Sequence, residues 1–455
     1  MKRVVEHSNA LNCIMLIFAC LLFLALACPV SGKSPDVYIN INNPFLKKIP
    51  IAVPVFKGVS GNDAELAQCA EAADMLSRTL DFTSYFKLLD RGSFLFAPQK
   101  DDIVGAGINF QNWTTVGAEL LITGGLLVQG DAVEAELRLF DSFKGQMLVG
   151  KKYRGRTADL LTIMRRFAGE VIYSITGERG IFDTQIAFVS TQTGSKEIFV
   201  CDFDGYDPKP VTRSGSISLS PAWSSDGQWL AFTSYARGKP ELQIRQLKEK
   251  RGAIVAKEGV NISPAWFPGQ FALAATLSFS GDSEIYLLTG NGNIIRRLTH
   301  NPGIDVSPSF SPDGKQMAFV SNRSGNPHIY IQELASGQVR RLTFQGRYNT
   351  QPAWSPKGDR IAYCGSDDGR FNIHVIGVKA AESVQLTRNA GNNESPSWSP
   401  DGNLIAFSST RQGPSRIYVM NAYGTDQRML LNLSGEQTSP RWSPPLVNQE
   451  KPLDF

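Results

Sequence analysis

From Ile186 onward the chain repeats a short apolar run, I-A-F or its equivalent, beginning at Ile186, Leu230, Leu273, Met317, Ile361 and Ile405. In the fullest copies a polar Pro-Asp-Gly turn precedes the run, at Pro312-Asp313-Gly314 and Pro400-Asp401-Gly402. Glycine supplies the positive φ that such hairpins need. Ahead of the turn stands S-P-x-W or a close variant, with prolines at Pro221, Pro264, Pro308, Pro352, Pro396 and Pro440, in steps of 43, 44, 44, 44 and 44 residues. Behind the apolar run lies another strand-like segment (Ile198–Val200, Leu242–Ile244, Ile285–Leu287, Ile329–Ile331, Ile373–Val375, Arg416–Met420), then a fourth that ends in Leu-Thr at Leu298, Leu342 and Leu386. Four short strands per unit at this period predict the blades of a β-propeller.

The two ends of the array are out of phase. The first I-A-F run has no S-P-x-W before it, and the last S-P-R-W, at Ser439–Trp442, has no I-A-F behind it. Joining them gives six complete blades, with Ser439–Ser443 as the missing strand of the first. An unclosed ring would leave strand edges unpaired. The expected propeller covers 179–447, followed by a tail, 448–455.

Residues 33–178 lack the repeat and read as a separate α/β domain. Asp36–Ile41 alternates with Val37, Ile39 and Ile41 on one face, and Ile49–Phe56 is a second strand. Ala64–Leu80 has helical spacing, Tyr85–Leu89 is a strand, and Trp113–Val116 a helical turn. Leu120–Val128, Ala132–Phe140 and Met147–Tyr153 read as a meander before a helix over Ala158–Ile175. That order predicts a mixed sheet covered by helices.

Composition adds the cellular address. Lys2 and Arg3 precede an apolar run, Cys13 to Ala27, then small residues. The run is too short for a membrane span and reads as a secretory signal over 1–32, cleaved after Ala27 or Gly32. Export without a membrane span after cleavage is expected. A net charge of +4 with no basic run gives no reason to expect a nucleic acid partner. Outside the leader, Cys69, Cys201 and Cys364 have no metal-ligand spacing and read as core thiols, and His300, His328 and His374 as loop or strand-surface residues.

No G-x-S-x-G elbow occurs, so the peptidase reading of such propellers has no nucleophile. Ser224–Trp229 echoes an Asp-box, yet the same Asp-Gly turn recurs at Asp313 and Asp401 and is read as a hairpin. Gly105-x-Gly107 and Gly124-Gly125 form no phosphate loop. Catalysis, a cofactor and a bound metal are not expected.

The chain resembles the TolB family. The resemblance rests on the junction Ile175-Thr176-Gly177, on G-x-F-x-T-x-I-A-F from Gly180 to Phe188, and on the six repeats with their terminal P-x-W-S-P. Val133–Asp141 and Trp113-x-x-x-Gly117-Ala118-Glu119 extend it over the first domain. The sequence departs at Gly169, where an acidic residue is expected, which puts interdomain contacts in doubt, and in the length of its tail. The resemblance implies a periplasmic protein of the Tol–Pal envelope system. It would hold the lipoprotein Pal, and further outer-membrane lipoproteins, at one mouth of the propeller channel and engage TolA through its N-terminal segment.

The loop leading into each innermost strand opens on the channel. Three residues before each proline stand Ser218, Asn261, Asp305, Asn349, Asn393 and Gln437. This ring reads either as the rim of a Pal-binding funnel or as loop residues selected for turn formation. Val260, Val306, Tyr348, Asn392 and Glu436 stand beside it, with Tyr348 the expected anchor. For TolA, the strand Asp36, Val37, Tyr38, Ile39, Asn40 and Ile41 is suited to edge addition; it reads equally as a plain edge strand. Two other readings stand: an exported propeller that binds a glycan or a different lipoprotein, and a propeller hydrolase with an axial metal on Asp305 and Glu436.

Overall fold

The computed structural model describes residues 47–95, 107–249, 251–379 and 382–446. The leader, the strand over 36–41 and the tail from 448 lie outside the described residues.

The first domain is built on one mixed sheet. β1 (Ile49–Ala52) runs parallel to β3 (Phe86–Leu88) and β4 (Leu120–Gln129), while β5 (Ala132–Asp141) and β6 (Gln146–Arg156) extend it antiparallel. A two-residue strand, β2 (Lys57–Gly58), also pairs with β4. Because side chains alternate across a strand, Ile51 joins the core under helices Asp63–Phe82 and Leu160–Thr176, while Ala52 packs on the other side with Trp113 of the short helix Phe110–Thr115. Asn62 caps the first helix by accepting from the Glu65 amide at 2.9 Å. The second helix stops at Gly177, whose φ of 76° suits glycine.

Six four-stranded blades follow, each an antiparallel meander from the innermost strand outward. The innermost strands are Ser218–Trp223, Asn261–Trp266, Asp305–Phe310, Tyr348–Trp354, Asn393–Trp398 and Gln437–Trp442. The last pairs with Gln185–Ser190, so blade 1 is made from both ends of the array. The blade whose innermost strand is Ser218–Trp223 is called blade 2 here, and the others follow in chain order.

The repeated residue types have local reasons. In the turns, Ser224, Ser311 and Ser399 donate to Asp226, Asp313 and Asp401, whose carboxylates accept the amide two residues on. The threonine of Leu-Thr accepts the amide that opens the third strand, as Thr299 does from Ile285, Thr343 from Ile329 and Thr387 from Ile373. Three of the tryptophans staple blade to blade. Trp223 donates its indole N–H to the Arg441 carbonyl, Trp266 to Ala222 and Trp398 to Ala353. Cys69, Cys201 and Cys364 are buried free thiols.

Candidate functional site

Every innermost strand carries the same irregularity. Pairing with the second strand skips between Leu219 and Ala222, Ile262 and Ala265, and the matching residues of the other blades. At the skip, Ser220, Ser263, Ser307, Gln351, Ser395 and Ser439 all have φ between 53° and 55°. A proline cannot donate to the ladder, and the left-handed residue before it takes up the extra length as a bulge.

The ring three residues before the prolines is placed differently from the funnel expectation. Ser218, Asn261, Asp305, Asn349, Asn393 and Gln437 are all buried, at 2% exposure or less. The four amide side chains among them turn back onto nearby loop carbonyls. Asn261 donates to the Lys257 and Pro240 carbonyls and accepts from the Lys257 amide. Asn349 donates to the Gln345 carbonyl at 2.8 Å, Asn393 to Gly391, and Gln437 to Leu433. Buried amides must bond somewhere, and here they tie down the loops that shape the mouth. Asn261, Asn349, Asn393 and Gln437 hold the loops of the mouth, and none of the six buried side chains forms its surface.

Asp305 is the charged member. Burial pushes its carboxyl up, against the hydrogen bond from Ser321 and the guanidinium of Arg323, whose Nη2 lies 2.8 Å away. Engaged in this way and fully buried, it is no free axial ligand alongside the exposed Glu436. Among the described residues no group of three His, Cys, Asp or Glu is placed to hold a metal. His328, expected near the surface, is buried and meets the Asn349 amide at 3.0 Å, which makes its Nδ1 the acceptor.

The neighbours reach solvent. Val260, Val306 and Asn392 are half-buried, and Tyr348 and Glu436 are exposed. Apolar residues that sequence reasoning passed over stand at the same end of the propeller: Ile217, Phe279, Ile304 and Phe344 are all exposed, Phe344 to 67%. Phe279 follows strand Ala272–Leu277, whose last residue pairs with Asn261, so it belongs to this end. Glu394 also escaped notice. It follows Asn393 in the innermost strand, is half-buried, and is raised by burial alone.

An apolar rim on a mouth held rigid from beneath suits a protein partner, whose interface needs an apolar centre and a polar surround. The strand expected to engage a second partner, 36–41, lies outside the described residues.

Residues 173–446 match the family described as "TolB beta propeller domain", and residues 37–148 match "TolB amino-terminal domain". The Tol-Pal system protein TolB of Desulfosudis oleivorans is 57% identical over 280 residues, covering 62% of this chain and 64% of that protein. A protein TolB homolog of Chlorobaculum tepidum is 44% identical over 287 residues, again 62% and 64%. The matched stretch thus spans less than two thirds of these curated relatives. In fold, the chain is similar to the crystal structure of TolB from Acinetobacter baumannii, with a TM-score of 0.76, 24% identity, and coverage of 88% of this chain and 97% of that one.

Proposed function

From the premise that the chain belongs to the TolB family, we propose that it is a periplasmic, non-enzymatic component of a Tol–Pal system. It binds Pal at the loop-bearing mouth of the propeller and TolA through the segment 36–41, and so supports outer-membrane integrity and envelope constriction at cell division. The observation that carries the reading is the set of exposed apolar residues Ile217, Phe279, Ile304, Phe344 and Tyr348 at the end of the propeller whose loops are held by the buried amides of Asn261, Asn349, Asn393 and Gln437. Large aromatic side chains on a preorganised frame are what concentrate binding energy in a few residues.

The test is calorimetric titration of the protein with the soluble domain of Pal from the same cell. Tyr348→Ala and Phe344→Ala are expected to weaken binding about tenfold or more each, the scale of an interface anchor. Phe271→Ala, on the opposite end of the propeller, is expected to leave it unchanged. Binding untouched by both rim variants would move the site elsewhere.

A further inference from the structure

At the end of the channel remote from the rim lies a cavity of about 360 Å³, walled by Trp223, Trp266, Phe310, Trp354, Trp398 and Trp442 and by the prolines around them. The residue after each repeat proline also lines it: Ala222, Ala265, Ser309, Ala353, Ser397 and Arg441. Five of these six related positions hold a small residue. The sixth holds a guanidinium.

Arg441 is oriented by its own strand and its neighbour. Nη1 donates to the Pro440 carbonyl at 3.1 Å and the Pro396 carbonyl at 3.3 Å. Nε and Nη2 have no partner among the described residues, and no carboxylate pairs with the side chain there. Removal from water, with no opposing charge, pushes its pKa down to about 10. The side chain is half-buried, so its free N–H groups face the channel, and three other blades show that alanine fills the same position. The arginine therefore has no structural need that the fold does not meet elsewhere.

Two hydroxyls complete the donor set. Ser309 and Ser397 each accept a backbone amide from the next blade, from Trp354 at 3.0 Å and Trp442 at 2.9 Å. Neither hydroxyl donates to a protein acceptor among the described residues, so each O–H proton is available to the channel. Ser397 is in the blade beside Arg441, and Ser309 in the blade diametrically opposite.

We propose that this cavity binds a small carboxylate carried on an apolar body, its oxygens on Arg441 with Ser397 and Ser309 as further donors and its body against the indole faces. The single positive charge matches a monoanion, and the planar guanidinium matches a carboxylate. A phosphate dianion would keep one charge uncompensated among indoles. The volume is at the small end of ligand pockets, so the body is no larger than a single ring or a dipeptide side chain.

Sodium benzoate and sodium acetate are titrated into the whole protein at constant ionic strength, read by calorimetry and by tryptophan emission, since five of the seven tryptophans wall the cavity. Benzoate is expected to saturate and to bind more tightly than acetate. Arg441→Ala should weaken it at least tenfold, and Arg441→Lys should restore part of the loss. The alanine variant has the residue that blades 2, 3 and 5 already hold, and an unchanged melting curve without ligand would show that it folds. Tyr348→Ala, at the other end, should bind benzoate as the natural protein does. Absence of saturation, equal binding by Arg441→Ala, or tighter binding of inorganic phosphate than of benzoate would overturn the proposal.

Discussion

Arg165, on the last helix of the first domain, holds two carboxylates of blade 1 at once: its Nη1 lies 2.7 Å from Asp202 Oδ2, and its Nη2 contacts both oxygens of Asp204 at 2.8 and 2.7 Å. Burial alone would lower its pKa, but Asp204 and Asp202 outweigh that and raise it. Around this fork Phe203 stacks edge-on against Phe82 and Phe182, and Arg428 reaches the Phe82 carbonyl. The departure at Gly169 is resolved here. An added Cβ there would meet only the Phe182 ring at 3.6 Å and the Arg179 carbonyl at 3.8 Å, and ion pairing between the domains is supplied by Arg165 and by Lys48 with Asp426.

Arg165→Ala is therefore expected to destabilise the protein by about 3 kcal/mol, because it leaves two half-buried carboxylates side by side without a cation. Arg165→Lys should recover only part, since a point charge cannot serve both. Urea unfolding measures the loss. Limited proteolysis should then cut first between Thr176 and Gln185, where the domains join.

Tyr348 and Asn349 are adjacent, yet their variants should separate cleanly. Asn349→Ala orphans the Gln345 carbonyl and His328 and is expected to lower stability by about 1–3 kcal/mol. Its effect on Pal binding should shrink as the temperature is lowered and the loop is retained. Tyr348→Ala should do the reverse, with little effect on melting and a loss in affinity at every temperature. Parallel melting and titration series distinguish the two.

Trp442 fastens the closure, its indole N–H meeting the Thr184 hydroxyl at 2.8 Å and its amide the Ser397 hydroxyl. Trp442→Phe should cost about 1 kcal/mol, the worth of one hydrogen bond, and Trp442→Ala about 3–5 kcal/mol through the cavity it leaves. Phe310 occupies the equivalent place in blade 4 and shows that the ring alone can be accommodated. Denaturant midpoints decide the ranking.

His374 stacks on Tyr363 with centroids 5.2 Å apart, and burial brings its pKa down to about 4. The unfolded chain takes up a proton near pH 6.5 while the folded one does not. Stability is therefore complete above that point and falls as pH drops from 6.5 towards 4. Since the ring is partly exposed, the drop attributable to it should be about 1–2 kcal/mol. His374→Gln should flatten the stability profile across this window, measured by urea midpoints at pH 7 and pH 4.5.

The propeller was readable because its signals are local and repeated. The 44-residue step, the Asp-Gly turns and the dangling S-P-R-W each say one thing, and together they require a ring closed by Gln437–Trp442. The exposed apolar residues at the mouth were not readable in the same way. An asparagine before a strand serves a buried loop tie or a solvent-facing rim with the same amide, and only burial separates them, as Asn261 and Asn349 show. Phe344 and Phe279 break the repeat, so a search for what recurs passes over them. Arg441 was in plain view within S-P-R-W. That its tip faces a cavity depends on a bulge at Ser439, whose φ of 53° no residue-level pattern announces.

The closure of blade 1 has a consequence in time. Its second strand, Gln185–Ser190, is made early, but the strand it pairs with is Gln437–Trp442. Until that last strand arrives, five blades can stack while the first shows an open edge of unpaired amides and carbonyls. A chain cut short before Trp442 keeps that edge open to pairing with another chain. The ring thus certifies its own completion: only a polypeptide translated to its final repeat can hide the seam.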